Sequence, residues 1–182
     1  MMSREKLAHI LRAIAGVTGE ARLVLIGSAT VLLRARNIPL AMLNTNEIDV
    51  YPPDAADCEY FVDLVSGALG RGSQFDRTFN YFGDGVSPTT AKMPGDWRER
   101  SKAVKVPGAP GVEVIVPDLN DIALAKMMAW RDKDRDWLIA GVRSKILDPR
   151  LMRERIALLP PDETPAPEIQ RRMDSVAAYA TN

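Results

Sequence analysis

Apolar positions along the chain mark out an alternation of helices and short strands. Over residues 3–15, Leu7, Ile10, Leu11 and Ile14 recur at i, i+3, i+4 and i+7, the stripe of an amphipathic helix opened by a Ser3 cap. After Gly16 and Gly19, the run Leu23-Val24-Leu25-Ile26 is continuously apolar and ends at Gly27, which predicts a strand covered on both faces. Ser28 can cap a helix over 29–36, closed by Asn37-Ile38-Pro39. Glu47-Ile48-Asp49-Val50-Tyr51 alternates polar with apolar before Pro52-Pro53 and reads as a second strand.

Residues 54–70 read as a helix, with Phe61, Leu64, Val65, Ala68 and Leu69 at core spacing. The stretch 70–111 is rich in Gly and Pro and predicts short strands joined by long loops, 102–106 among them. Val112-Glu113-Val114-Ile115-Val116 is a clear strand stopped by Pro117. Helices follow over 119–130, 134–146 and 149–158, then a linker at Pro160-Pro161 and Pro165-Ala166-Pro167, then a last helix over 168–179. This order predicts an α/β (α+β) fold, a mixed sheet flanked by helices. Its core spans 1–118, and a C-terminal helical segment over 119–182 packs on it.

Composition narrows the class. With 46% hydrophobic residues in 182, the chain can bury one proper core. Basic and acidic residues balance at 24 each, so no global field points to nucleic acid or membrane. The lone Cys58 excludes an internal disulfide framework and suggests a reducing, cytoplasmic setting. Charges at Arg4, Glu5, Lys6 and Arg12 interrupt any signal-peptide core, and no apolar run is long enough to span a bilayer, so no membrane partner is expected.

Four features carry candidate chemistry. Gly27-Ser28 closes a strand and opens a helix, where a bare backbone and free N–H groups suit phosphate, although ordinary capping uses the same residues. In a strand, Glu47 and Asp49 point to one face about 7 Å apart along the chain. Two carboxylates so placed repel unless a cation sits between them; otherwise they are surface acids. Glu113 stands alone on an apolar strand, as a third acid, a general base or a rim residue. Lys126 is either a point charge for a ligand or a snorkelling surface lysine. Beyond it, Asp132, Asp134 and Asp136 alternate with Arg131, Lys133 and Arg135 at ion-pair spacing. His9 and Cys58 lack partners for a metal or nucleophile pattern, and the Gly-x-Ser-x-Gly, Walker and dinucleotide-loop motifs are absent.

Leu25-Ile26-Gly27-Ser28, a helix, then Glu47-Ile48-Asp49-Val50 in this order resembles the nucleotidyltransferase superfamily. The compact bacterial branch related to abortive-infection-type toxins is the nearest likeness. Asn44-Thr45-Asn46 stands where relatives usually carry Thr or Ser before the acids. Lys126 through Lys133-Asp134 is similar to the branch's helix after the later strand, and Phe75-Asp76 and Pro94-Gly95-Asp96-Trp97-Arg98-Glu99-Arg100 have counterparts there. The likeness covers roughly residues 5–145, and it departs in placing Glu47 where Asp is usual. It implies a nucleoside triphosphate as ligand, with Mg²⁺ (or Mn²⁺) held by Glu47 and Asp49 and Glu113 completing the acidic set. Gly27, Ser28 and Lys126 would lie at the phosphates. The implied reaction moves a nucleoside monophosphate to an acceptor, with tRNA, protein and small molecules all open, near Arg98, Arg100 and Lys102. A catalytically silent member, such as a toxin–antitoxin component with its partner, is the other reading.

Overall fold

The computed structural model describes residues 1–54, 58–161 and 164–181. Among them, five strands form one sheet: β1 (Arg22–Ile26), β2 (Glu47–Tyr51), β3 (Phe82–Gly85), β4 (Lys102–Lys105) and β5 (Glu113–Val116). Their order across the sheet is β3-β2-β1-β5-β4. The sheet is mixed, since β1 runs parallel to β5 and β2 to β3, while β1–β2 and β4–β5 are antiparallel.

Helices cover both faces, and strand alternation decides which residues meet which layer. Leu23, Leu25, Ile48, Val50, Val114 and Val116 turn toward α1 (Arg4–Thr18) and α3 (Glu59–Leu69), meeting Leu7, Ile10, Leu11, Ile14, Phe61 and Val65. Val24, Ile26 and Tyr51 turn the other way, onto Ile122 and Met127 of α5 (Leu119–Ala129) and Trp137 of α6 (Asp132–Arg143). The central strand is thus covered on both sides, as a continuous apolar run demands. Helices α7 (Pro149–Arg155) and α8 (Ala166–Thr181) complete the second layer, the latter through Ile169, Met173 and Val176. The fold is α+β and nucleotidyltransferase-like, with a mixed sheet flanked by helices and a helical C-terminal stretch.

Two elements differ from their sequence patterns. The helix expected over 29–36 is a 3-10 turn at Ser28–Thr30 followed by a single turn, α2 (Val31–Arg34). Ala35 is extended and Asn37 has φ 51°, while Arg4 caps the carbonyls of Leu32 and Ala35 at 3.0 and 3.1 Å. The loop-rich stretch 70–111 holds a helix, α4 (Gln74–Phe79), whose Ser73 side chain accepts the Asp76 N–H and which Asn80 ends at φ 59°. In β3, Gly85 lets α3 lie directly on the sheet, since a Cβ there would fall 2.7 Å from the Val62 Cα. Of the helix predicted over 54–70, positions 55–57 lie outside the described residues.

Candidate functional site

The site forms where β1 ends. Gly27 adopts φ 74° and ψ −161°, a conformation that only glycine takes without strain. A Cβ there would fall 2.4 Å from Asp49 Oδ2, so the bare backbone is also what lets Asp49 close against the end of β1. Because α2 is one turn long, little helix dipole is available at Ser28. Positive charge comes instead from Lys126.

Three carboxylates share the face that looks toward α5 and α6. Glu47 and Asp49 lie on it together with Tyr51, and Asp84 joins them because β3 pairs with β2 in a register that sets Asp84 beside Asp49. Asp49 keeps some solvent contact, yet protein encloses its carboxyl on most sides. Burial, then the charges of Glu47 and Asp84, push it up to about 7, against the pull of Lys133 and Lys126. Asp84 is raised as well, by burial first and Glu47 second, with Arg71 and Lys133 opposing. Glu47 is held by Lys133 Nζ at 2.5 Å and by Arg71 at 3.4 Å, and the hydroxyl of Thr45 accepts its N–H at 3.2 Å. Both cations are well exposed, so these pairs are worth about 0–1 kcal/mol each and yield readily.

Opposite the acids lies a cationic row. Lys126 is buried, with its ammonium donating to Ser28 Oγ at 2.8 Å and Asp134 Oδ1 at 2.7 Å. Burial lowers its pKa, and Asp134 opposes that. Burial would raise Asp134, but the Arg131 hydrogen bond at 2.7 Å and the Lys126 charge outweigh it and hold the carboxyl low. Two residues, Trp130 at φ 50° and Arg131, join α5 to α6, and this turn brings Lys126 back against Asp134. Arg172 of α8 clamps it, donating to the carbonyls of Met127 and Met128 at 2.7 and 3.2 Å and lying over the Trp130 ring at 5.3 Å. A cleft lined by Gly27, Asp49, Thr90, Lys126 and Arg131 runs between the acidic and cationic rows.

Residues 5–176 match the model of a family described as nucleotidyltransferase of unknown function (DUF6036). The chain belongs to this family. No curated protein and no solved structure matches it. Among the described residues, no helix is long and apolar enough to cross a membrane.

Of the family-like residues, Gly27, Ser28, Glu47, Asp49 and Lys126 come together at this cleft and its rim. Glu113 does not. Its strand β5 lies beside β1 rather than β2, and Glu113 is in register with Arg22 at the start of β1, about 13 Å along that strand from the Ile26–Asp49 pairing. There it makes a 3.2 Å ion pair with Arg22. The expected cationic cluster is dispersed too. Arg100 is taken by Asp96 and the fully buried Asp121, Arg98 lies over Trp97, and Lys102 stands on the distant edge strand β4. The snorkelling alternative for Lys126 is excluded by its burial. The ion pair expected of Asp134 forms with Arg131, while sequence reasoning missed Asp84, Arg71 and the pairing of Asp134 with Lys126. The trace of Asp84 was an acid inside Phe82-Gly83-Asp84-Gly85, where flanking glycines mark close packing.

Proposed function

We propose that this cleft binds a nucleoside triphosphate and transfers its monophosphate to an acceptor hydroxyl. What carries the reading is the Asp49 carboxylate, packed against the Gly27 backbone, beside Asp84, and facing a buried lysine. Ser28 and Lys126 receive the outer phosphates, Lys126 as a point charge fixed by Ser28 and Asp134. Arg131, two-pronged on Asp134 and facing the cleft, neutralises further charge.

Asp49 and Asp84 suit Mg²⁺ or Mn²⁺. Their oxygens are hard donors, and their crowded negative charge is relieved by a cation. Mg²⁺ commonly binds one or two carboxylates together with substrate phosphates. Such an ion neutralises phosphate charge and lowers the nucleophile's pKa. Glu47, once it leaves Lys133 and Arg71, is within the same acidic row.

The test is a thermal-shift series of four nucleoside triphosphates with and without Mg²⁺, followed by pyrophosphate release. Stabilisation that needs both ligands and vanishes in Asp49→Asn supports the reading; equal shifts in the variant refute it. One observation favours a second reading, a silent binding or regulatory member such as a toxin–antitoxin component: Lys133 and Arg71 already neutralise Glu47. Mg²⁺-dependent binding without pyrophosphate release would select it.

A further inference from the structure

A second cleft adjoins the first on the β3 side, lined by Asn44, Thr45, Asn46, Glu47, Arg71, Phe82 and Lys133. Glu47 walls this cleft and Asp49 the other, and the two acids share one strand face, so the clefts flank the acidic row. Displacement at phosphorus runs in line, with attacking and leaving oxygens on opposite sides. If the outer phosphates lie at Ser28 and Lys126, pyrophosphate departs on that side. The nucleophile must therefore arrive from the side of Glu47, Arg71 and Lys133.

The lining tells what kind of molecule fits. Two cations face a single carboxylate, so positive charge is in excess. Their side chains are 75% and 49% exposed, open to a ligand. The Arg71 guanidinium lies over the Phe82 ring at 4.7 Å and donates to Glu47 at 3.4 Å. The planar guanidinium fork matches phosphate oxygens two at a time. Thr45 and the amides of Asn44 and Asn46 add neutral hydrogen-bonding groups on the same wall.

We infer that this second cleft seats the acceptor, and that the acceptor carries a phosphate close to its attacking hydroxyl. The inference rests on the nucleotide reading above. In the step, the acceptor oxygen forms a bond to the α-phosphorus while the bond from the α-phosphorus to the α–β bridging oxygen breaks, that oxygen staying with the β-phosphorus. Pyrophosphate leaves, and the hydroxyl proton passes to the acidic row and on to water.

The experiment uses the 182-residue chain with Mg²⁺ and a non-hydrolysable triphosphate analogue, titrated by calorimetry with ribose 5-phosphate, ribose and inorganic phosphate. Ribose 5-phosphate and phosphate are expected to bind and ribose not. Arg71→Gln should weaken both by about tenfold or more, about 1.4 kcal/mol, and change the analogue's affinity by far less. Lys133→Gln provides a second variant on the same wall. If none of the three binds to a chain that does bind the analogue, the phosphate-bearing acceptor is refuted. If Arg71→Gln weakens the analogue as strongly, the cleft belongs to the nucleotide and the acceptor role is lost. A chain that ignores the analogue overturns the nucleotide reading itself and the acceptor role with it.

Discussion

Gly27 and Asp49 are in such close contact that a single added methyl group on the former would overlap the carboxylate of the latter. Gly27→Ala therefore tests the site and the backbone together. Strain at φ 74°, ψ −161° is expected to cost about 1–3 kcal/mol in chemical denaturation. Asp49 must also move, so Mg²⁺-dependent triphosphate stabilisation should be lost well beyond what the lower stability explains. A variant that binds as wild type would show that Asp49 does not act from this position.

Stability should carry the signature of Asp49 titration. Its pKa is about 7 in the folded chain against 3.8 as the ordinary value. For an acid raised on folding, the unfolded state loses its proton first. The stabilising contribution of the protonated form is complete below pH 3.8 and is lost as pH rises to about 7. Metal-free wild type should therefore lose up to roughly 4 kcal/mol relative to Asp49→Asn across that window. Mg²⁺ affinity should climb over the same range, because ion and proton compete. Denaturant midpoints at several pH values, read as the difference between the two proteins, check both.

The two candidates for a third acid can be separated. Asp84→Asn removes the charge beside Asp49, so it should lower the Asp49 pKa and weaken Mg²⁺ stabilisation by about tenfold in apparent affinity. Glu113→Gln, at the far end of β1 and paired with Arg22, should change neither and shift stability by less than about 1 kcal/mol. The opposite pattern in a metal titration would restore Glu113 to the site.

Lys126 and Asp134 form a buried pair with unequal alternatives. Asp134→Ala strands a buried ammonium and is expected to cost about 3–5 kcal/mol in denaturation. Lys126→Met should cost less, because Asp134 keeps Arg131, while triphosphate binding disappears. Equal losses would mean that Arg131 does not support Asp134.

Much of this arrangement was legible beforehand because it is local. The continuous apolar run of β1, the alternation of Glu47, Asp49 and Val50, and the stripe on α1 each follow from residues a few positions apart. Strand order was not legible, and Glu113 shows why. Its face on β5 was readable from alternation, but its distance from Asp49 depends on β5 pairing with β1, a contact between residues 91 positions apart in the case of Arg22 and Glu113. Asp84 was hidden for the converse reason: four residues rich in glycine carry almost no strand signal until an existing sheet edge recruits them. The length of α2 depended on Arg4, a residue of another helix, reaching its carbonyls.

The clamp of Arg172 on the Trp130 turn has a consequence for the time course of biosynthesis. The acids of the site are read out by residue 84, whereas Lys126, Asp134 and the guanidinium that secures their turn are added later, the last at residue 172. While the ribosome is still working through the intervening stretch, the acids have Arg71 in the chain beside them but not yet Lys126 or Lys133.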